Sequence, residues 1–388
     1  MLDLAARAAY RGVGLVEPNP PVGCVIGRRL ARRGVEILAI GHHRAVGGPH
    51  AEAEALALCR ARHADPAGAS AWVTLEPCAH HGRTPPCADA LIEAGVAEVV
   101  FATQDPHPAG AGGAARLRSA GVDVRRSDAS AWALELSAPF VHRVRTGRPW
   151  VIAKWAQTLD GRLAARSGES KWITGPRARL DAHRLRARVG AVLTGIGTVL
   201  ADDPLLTARG VPRVRRRALR VVVDPELRTP PDGRLARSVT DGPVVVWSSA
   251  GARASARRAL RDAGVEVVEL PETSGRLDLE AGLVTLARQR GVSDALVEAG
   301  PGLLGELADL DLIDEARAYI APAVLADAGA LPVMRGTRAR ALQEAAPFRL
   351  LGARRLGPDL GVVWRRSRDG GAHAAHGDQK GSGPGVSA

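Results

Sequence analysis

The sequence predicts an α/β protein of two domains, on three observations. Short apolar, β-branched runs alternate with helix-forming segments, the pattern of sheets with helices packed on their faces. The 388 residues, 46% of them hydrophobic, suffice for two cores at the usual size of roughly 150 residues per domain. A glycine- and proline-bearing break at 145–149 divides the pattern into a first unit, 1–146, and a second, 149–366, followed by a tail at 367–388.

In the first unit, strands are expected at 22–26 and 35–40, with turn residues between them. A helix opens near His50 and runs through Leu58, rich in alanine, leucine and glutamate. A strand at 71–75 ends in the Pro77-Cys78 corner; a short helix at 87–94 and a strand at 98–102 follow, and an amphipathic segment at 130–144 closes the unit. The second unit starts with a strand at 150–154, continues through 167–174 and enters a helix at Pro176, where proline suits the first turn. Further strands are expected at 191–194, 219–223, 243–247, 265–268 and 295–298, several separated by helices, which predicts a mostly parallel sheet. From Asp369 the tail lacks an apolar period and is expected to be disordered.

The chemistry concentrates between His50 and Cys87. One imidazole and two thiols, His50, Cys78 and Cys87, are a donor set suited to zinc; three protein ligands leave a fourth tetrahedral position for water, whose pKa the metal lowers towards neutrality. Glu52, two residues after the histidine, is placed to carry a proton between that water and a substrate as general acid/base. Both clusters fall near helix N-termini, where the dipole and unpaired N–H groups favour thiolates. The pattern is that of a zinc deaminase of bases, except that such sites have two residues between their cysteines and eight intervene here. A structural zinc site using His80 or His81 is the other reading. Cys24 and Cys59 read as small buried hydrophobes, and four cysteines in this length are too sparse for a disulfide framework.

The net charge of +12 is nearly all arginine, the lysines being Lys154, Lys171 and Lys380. Its densest run, 213–217, has no interleaved aromatics, and aromatics are 3% overall, which argues against a stacking platform for nucleic acid. A solvated arginine-rich surface, also suited to a phosphorylated small substrate, is the preferred reading over a nucleic-acid-binding protein with a structural zinc. No stretch approaches the roughly 20 apolar residues of a membrane span, and the start of the chain lacks a basic then apolar leader, so a cytoplasmic protein without membrane partners is expected. In the second unit, glycine-bearing turns at 195–198 and 298–302 follow strands and could meet a phosphate.

Taken together, the motifs resemble the bifunctional riboflavin-biosynthesis deaminase/reductase family. In the first unit the resemblance rests on Pro18-Asn19-Pro20, Gly48-Pro49-His50-Ala51-Glu52, Thr74-Leu75-Glu76-Pro77-Cys78 and the stretch from His80 to Cys87, whose long spacing is a feature of that family. In the second it rests on Lys154-Trp155-Ala156, Leu159-Asp160-Gly161-Arg162, Ser167-Gly168-Glu169-Ser170, Thr198 to Pro204 and Val297-Glu298-Ala299-Gly300-Pro301. The resemblance spans about 1–366. It implies a cytidine-deaminase-like three-layer first domain and a dihydrofolate-reductase-like second one. The implied reactions are zinc-dependent deamination of a diaminopyrimidinone ribosylamine phosphate and NADPH-dependent reduction of its ribosyl group to ribityl.

By matched position, the resemblance assigns Asn19, His43, His80, Arg83 and Asp105 to the deaminase substrate, with His107 where the family usually has asparagine. It assigns Ala156, Trp172, Thr198, Asp202 and Gly300, Pro301, Gly302, Leu303, Leu304, Gly305 and Glu306 to NADPH, and Ser170, Arg186, Leu206, Arg209 and Glu298 to the sugar phosphate. Lys154 is a candidate polar partner of the reacting sugar. A homo-oligomer acting on a phosphorylated pyrimidine, without nucleic acid, is expected. A deaminase of another base or nucleoside, with a second domain that no longer reduces, is the alternative.

Overall fold

The computed structural model describes residues 1–31, 34–80, 85–108 and 110–368. In the first unit, helices α1 (Leu2–Ala9), α2 (Ala51–Ala61), α3 (Cys87–Glu93), α4 (Gly113–Ser119) and α5 (Ala131–Thr146) enclose a five-stranded sheet. Its strands are β1 (Gly23–Arg29), β2 (Val35–His42), β3 (Ser70–Leu75), β4 (Glu98–Thr103) and β5 (Asp123–Arg126), in the order β2-β1-β3-β4-β5. The β2-β1-β3 pairs are antiparallel and the β3-β4-β5 pairs parallel. Strand side chains alternate between two faces. Cys24, Ile26, Ala71, Val73, Val99 and Phe101 pack on α2, α3 and α4 through residues such as Ala55, Leu56, Leu91 and Leu117. Val25, Trp72, Val100 and Ala102 pack on α1 and α5 through Leu2, Ala5, Ala6 and Ala133. The result is the expected three-layer arrangement, with Cys24 and Cys59 buried in its core.

The second unit holds β6 (Trp150–Thr158), β7 (Ala191–Gly195), β8 (Leu219–Val223), β9 (Val244–Ser248), β10 (Glu266–Glu269), β11 (Asp294–Val297), β12 (Glu315–Ala321), β13 (Phe348–Leu356) and β14 (Asp359–Arg366). They form one sheet ordered β10-β9-β8-β7-β11-β6-β12-β14-β13. From β10 to β12 every pairing is parallel; β14 and β13 add an antiparallel hairpin at the edge. Helices α6 (Pro176–Arg186), α7 (Ile196–Asp202), α8 (Arg234–Arg237), α9 (Ala254–Asp262), α10 (Leu279–Arg290) and α11 (Pro301–Asp309) cover it. Alternation again separates two cores: Val151, Leu193, Val221, Val245 and Val297 face α10 and α11, while Ile152, Val192, Val222, Val246 and Leu296 face α6, α7 and α9. The predicted strands all form, mostly a residue or so longer or shifted; β5, β12 and the β13–β14 hairpin went unpredicted because charged residues interrupt their apolar pattern.

Helix α5 joins the units. Ser130 caps it by accepting from Ala133 N at 3.1 Å, and Gly147 ends it in the left-handed region at φ 75°. Glu135 on α5 pairs with Arg349 and Arg365 of the hairpin. Just beyond, Arg148 donates to both oxygens of the fully buried Asp314 at 2.8 and 3.1 Å, and Val151 N adds a third bond at 2.8 Å. Replacing Asp314 by alanine strands buried Arg148 without its counter-charge and is expected to cost about 3–5 kcal/mol; urea unfolding showing under ~1 kcal/mol would refute that role.

Candidate active sites

The first site gathers at the ends of three elements. His50 is the N-cap of α2 in extended conformation and makes no capping bond with its side chain, so its ring is free to point elsewhere. Cys78 follows β3, and Cys87 is the first residue of α3. Gly113, opening α4, lies so close to the Pro77 carbonyl that a Cβ would come within 1.7 Å; only glycine lets α4 brace that corner. The donor atoms of His50, Cys78 and Cys87 lie within 4.8 Å of one another. His50 Nδ1 stands 3.6 Å from Cys78 Sγ and 3.3 Å from Cys87 Sγ. In a tetrahedral zinc site, sulfur and nitrogen ligands are separated by about 3.5 Å, so these donors fit zinc. Among the described residues, they are the metal-type cluster of histidine, cysteine and carboxylate groups, and His80 is not part of it.

The electrostatics match this geometry. The hydrogen bond from Cys87 is the largest influence on Cys78, and with His50 it lowers the Cys78 thiol to about 4 against its burial. Cys87 is pushed up by the same hydrogen bond and by burial, while the hydrogen bond to Cys78 raises His50. Cys87 N also points at Cys78 Sγ, 3.4 Å away, as expected where a helix N-terminus meets a thiolate. Glu52, in the first turn of α2 and only 3% exposed, is raised to about 7 by burial.

These groups open into a cavity of about 480 Å³. Asn19, His43, His50, Glu52, Cys78, His80, Asp105 and His107 all line it. His43 Nδ1 meets the Pro49 carbonyl at 2.8 Å and burial lowers its pKa, so the ring is neutral with Nε2 as the acceptor, 3.5 Å from Asn19 Nδ2. Arg83 and His81 lie outside the described residues. The sequence reading missed the function of Glu76, a buried carboxylate inside the motif it quoted, which accepts from Ala114 N and Asp105 N at 3.0 and 3.3 Å and so shapes the wall. It also missed Phe140 and Arg143, cavity residues supplied by α5.

The second site sits at the carboxyl ends of the neighbouring strands β7 and β11. Thr194 donates its hydroxyl to Glu298 O at 2.7 Å, and the Cβ position of Gly300 is 4.0 Å from Thr198 Oγ1, so the two glycine-bearing turns lie side by side. Gly197 and Gly302 have open space where a Cβ would stand, and α11 starts without a capping side chain. Such a start offers N–H groups to an anionic cofactor. Leu303 and Glu306 are half-buried on α11, while Leu304 is in the core and Gly305 abuts the Arg335 carbonyl. Leu304 by its side chain, and Gly305 by lacking one, therefore hold α11 in place.

Beside the turns, Glu298 accepts from Arg186 Nε and Nη2 at 2.5 and 2.9 Å and from Lys154 Nζ at 3.3 Å. Burial raises Glu298, but the two cations overcome it and hold the carboxyl well below its usual range. Lys154 also lies over the Tyr319 ring, and Ala156 is two residues along the same strand face. Arg209 N donates to His183 Nδ1 at 3.2 Å; burial, Arg186 and Arg209 lower that histidine to about 4. Leu206 is buried in the left-handed region at φ 54°, a strained setting for leucine that fixes the loop bearing Arg209. Asp202 pairs with Lys171 at 2.9 Å, tying α7 to the loop of Ser170 and Trp172, whose exposed indole meets Arg179. An apolar cavity of about 370 Å³ lined by Trp155, Met334, Phe348 and Trp364 contains none of the candidate residues.

Comparison with known proteins agrees with both halves. Residues 1–103 match the model of the cytidine and deoxycytidylate deaminase zinc-binding region, and 149–362 that of the RibD C-terminal domain. The riboflavin biosynthesis protein RibD of Escherichia coli is 42% identical over 369 residues, covering 92% of this chain and 96% of that protein. The RibD of Aquifex aeolicus is 34% identical, covering 94% and 97%. A crystal structure of a Thermotoga maritima diaminohydroxyphosphoribosylaminopyrimidine deaminase/5-amino-6-(5-phosphoribosylamino)uracil reductase superposes with a TM-score of 0.78 at 32% identity, covering 94% and 97%. An Acinetobacter baumannii RibD structure superposes at 0.79 with 36% identity, covering 95% and 98%.

The Glu298 cluster gives a pH prediction. Its carboxylate is stabilised above the unfolded pKa near 4.5, and that contribution is lost as pH falls towards the lowered folded value. Glu298→Gln leaves two buried cations unanswered, so it should destabilise the protein by about 3–5 kcal/mol at pH 7 and flatten the loss of stability below pH 4.5. Parallel stability–pH curves for variant and parent would contradict this.

Proposed function

We propose the residue roles below on the premise that this chain belongs to the RibD family of riboflavin biosynthesis proteins. It is a bifunctional enzyme whose first domain is a zinc-dependent deaminase and whose second is an NADPH-dependent reductase. The substrate is 2,5-diamino-6-(5-phosphoribosylamino)pyrimidin-4-one, which loses its exocyclic amine as ammonia before the ribosyl group is reduced to ribityl. We take 1–146 and 149–366 as the functional units. The observation that carries this reading is the His50–Cys78–Cys87 cluster opening, beside Glu52, into a cavity large enough for a pyrimidine.

In the first domain His50, Cys78 and Cys87 would hold zinc, which when bound supplies an acidified water. Glu52, poised near pH 7, would carry one proton from the water to the ring nitrogen and a second, from the newly added hydroxyl, to the departing amine. Asn19 and neutral His43 present a donor and an acceptor to the base, and Asp105 and His80 complete the wall, with Arg83 assigned to the anionic end. His107 occupies the wall where the family usually has asparagine.

In the second domain NADPH supplies the hydride. Ala156, Trp172, Thr198, Asp202 and the stretch Gly300, Pro301, Gly302, Leu303, Leu304, Gly305 and Glu306 would hold the cofactor, Leu304 and Gly305 by keeping α11 placed. Lys154, its ammonium fixed by Glu298, donates to the carbonyl oxygen being reduced. Arg186 is largely answered by Glu298, so exposed Arg209 is the better cation for the sugar phosphate, with Ser170 and Leu206 bounding the site.

We also propose a cytoplasmic homo-oligomer with no nucleic-acid partner; no helix among the described residues is long and apolar enough to cross a membrane. Analytical ultracentrifugation showing only monomer would remove the oligomer. The reading as a deaminase of another base with a silent second domain is less supported, because the Lys154–Glu298–Arg186 cluster and the open glycine turns are intact.

Two variants separate the roles. Glu52→Gln should keep one zinc per chain yet lower ammonia release by about 10²-fold or more, while the protein still reduces pre-deaminated substrate. Cys78→Ser should lose the metal itself, read by elemental analysis. Normal deamination by Glu52→Gln would overturn the role of that carboxylate; ammonia release without NADPH oxidation in the parent would select the alternative.

A further inference from the structure

Arg143 stands out among the charged side chains that line the deaminase cavity. It projects from α5, one helical turn after Phe140, and both residues line the same wall as Pro18 and Asn19. Its Nη2 donates to the Pro18 carbonyl at 2.9 Å, which fixes the guanidinium against that wall. Its Nε is buried and has no hydrogen-bond partner, and among the described residues no carboxylate forms an ion pair with it. Of the acids of the cavity, Glu76 accepts from two backbone N–H groups, Asp105 accepts from His107 N at 2.8 Å, and Glu52 stands beside the metal cluster; none forms an ion pair with Arg143. Burial lowers the Arg143 pKa, yet arginine remains protonated at neutral pH.

A half-buried guanidinium with no protein counter-ion is costly unless an anion completes the site. The proposed substrate carries one anionic group, its phosphate, at the end of the ribosyl arm away from the ring that must reach His50, Cys78 and Glu52. We propose that Arg143 is a phosphate-recognising, specificity-determining residue of the deaminase, contributed by the helix that joins the two domains. Phe140 packs beside it along the path of the ribosyl arm. The proposal rests on the reading above that the first domain acts on a phosphorylated pyrimidine.

The test measures ammonia release from the phosphorylated substrate and from its dephosphorylated ribosyl form, for the zinc-loaded full-length parent, R143A and R143K, with inorganic phosphate as a competing probe. R143A should lower kcat/KM for the phosphorylated substrate about 10- to 100-fold, mainly through KM, and change that for the dephosphorylated form less than about 3-fold. Inhibition by inorganic phosphate should weaken in R143A, and R143K, which keeps the charge but not the fork, should fall between. An equal loss on both substrates, or no loss on either, would overturn the proposal. Zinc content and thermal unfolding establish that each variant is folded; if R143A fails to fold, R143K decides, its phosphate-selective rise in KM supporting the role and an equal effect on both substrates removing it. Failure of the parent itself to deaminate the phosphorylated pyrimidine would instead refute the underlying function.

Discussion

A charge removed from water has to be answered, and arginine does most of the answering here. Asp314 and Glu315, at the start of β12, are buried and sit against Arg148, Arg368, Arg317 and Arg365. Those four arginines come from the end of α5, the end of the chain's last strand region and β12 itself, so the pairing pins β12 between β6 and the edge hairpin. Glu298 is answered by Arg186 and Lys154, and Asp181 by Arg354 and the Tyr319 hydroxyl. Breaking such a pair is costly even where forming it contributes little net stability. The pairs therefore act mainly as registration, fixing which strand lies beside which and holding Lys154 at the mouth of the parallel sheet.

This explains what could and could not be read in advance. Strands such as 71–75 and 219–223 were legible because buried parallel or central strands are nearly continuous apolar runs. The residues of β12, β13 and β14 carry Glu315, Arg317, Arg349, Arg354 and Arg365, which on pattern alone belong to a solvated surface; only tertiary pairing makes them strand. The metal cluster was legible because cysteines are rare in the chain and two of the four stand with His50 in one motif. Much of the second site was not: Lys154, Arg186 and Glu298 are far apart in sequence, and without the family resemblance each is an ordinary charged residue. Phe140 and Arg143 escaped because the amphipathic pattern of α5 reports the face packed on the sheet and says nothing of what its remaining face meets.

Helix α5 consequently does three things. Ala133 and neighbouring residues cover one face of the first sheet, Glu135 grips the hairpin of the second domain, and Phe140 and Arg143 close the deaminase cavity. Near its end, His142 packs edge-on against Trp150, the first residue of β6. The wall of one active site is thus built on the element that fixes the position of the other domain. Arg215, which donates to the carbonyls of Tyr10 and Val13, ties the loop before Pro18 to the second domain in the same way.

Glu52 and Arg143, which both line the deaminase cavity, have no ion-pair partner among the described residues. Glu54, on the same turn of α2 as Glu52, takes His42 N and Arg44 as partners and is a structural residue. Glu52 has no such cation and is raised by burial to about 7. An arginine beside it would hold it ionised far below neutrality and leave it unable to give a proton back; the missing partner is what allows one carboxylate to act as base and then as acid. Arg143 is the converse, a cation that no titration near neutrality can relieve. With its charge completed by the substrate phosphate proposed above, the pairing that orders the fold extends across one cavity, from the reacting end at Glu52 to the anionic end at Arg143.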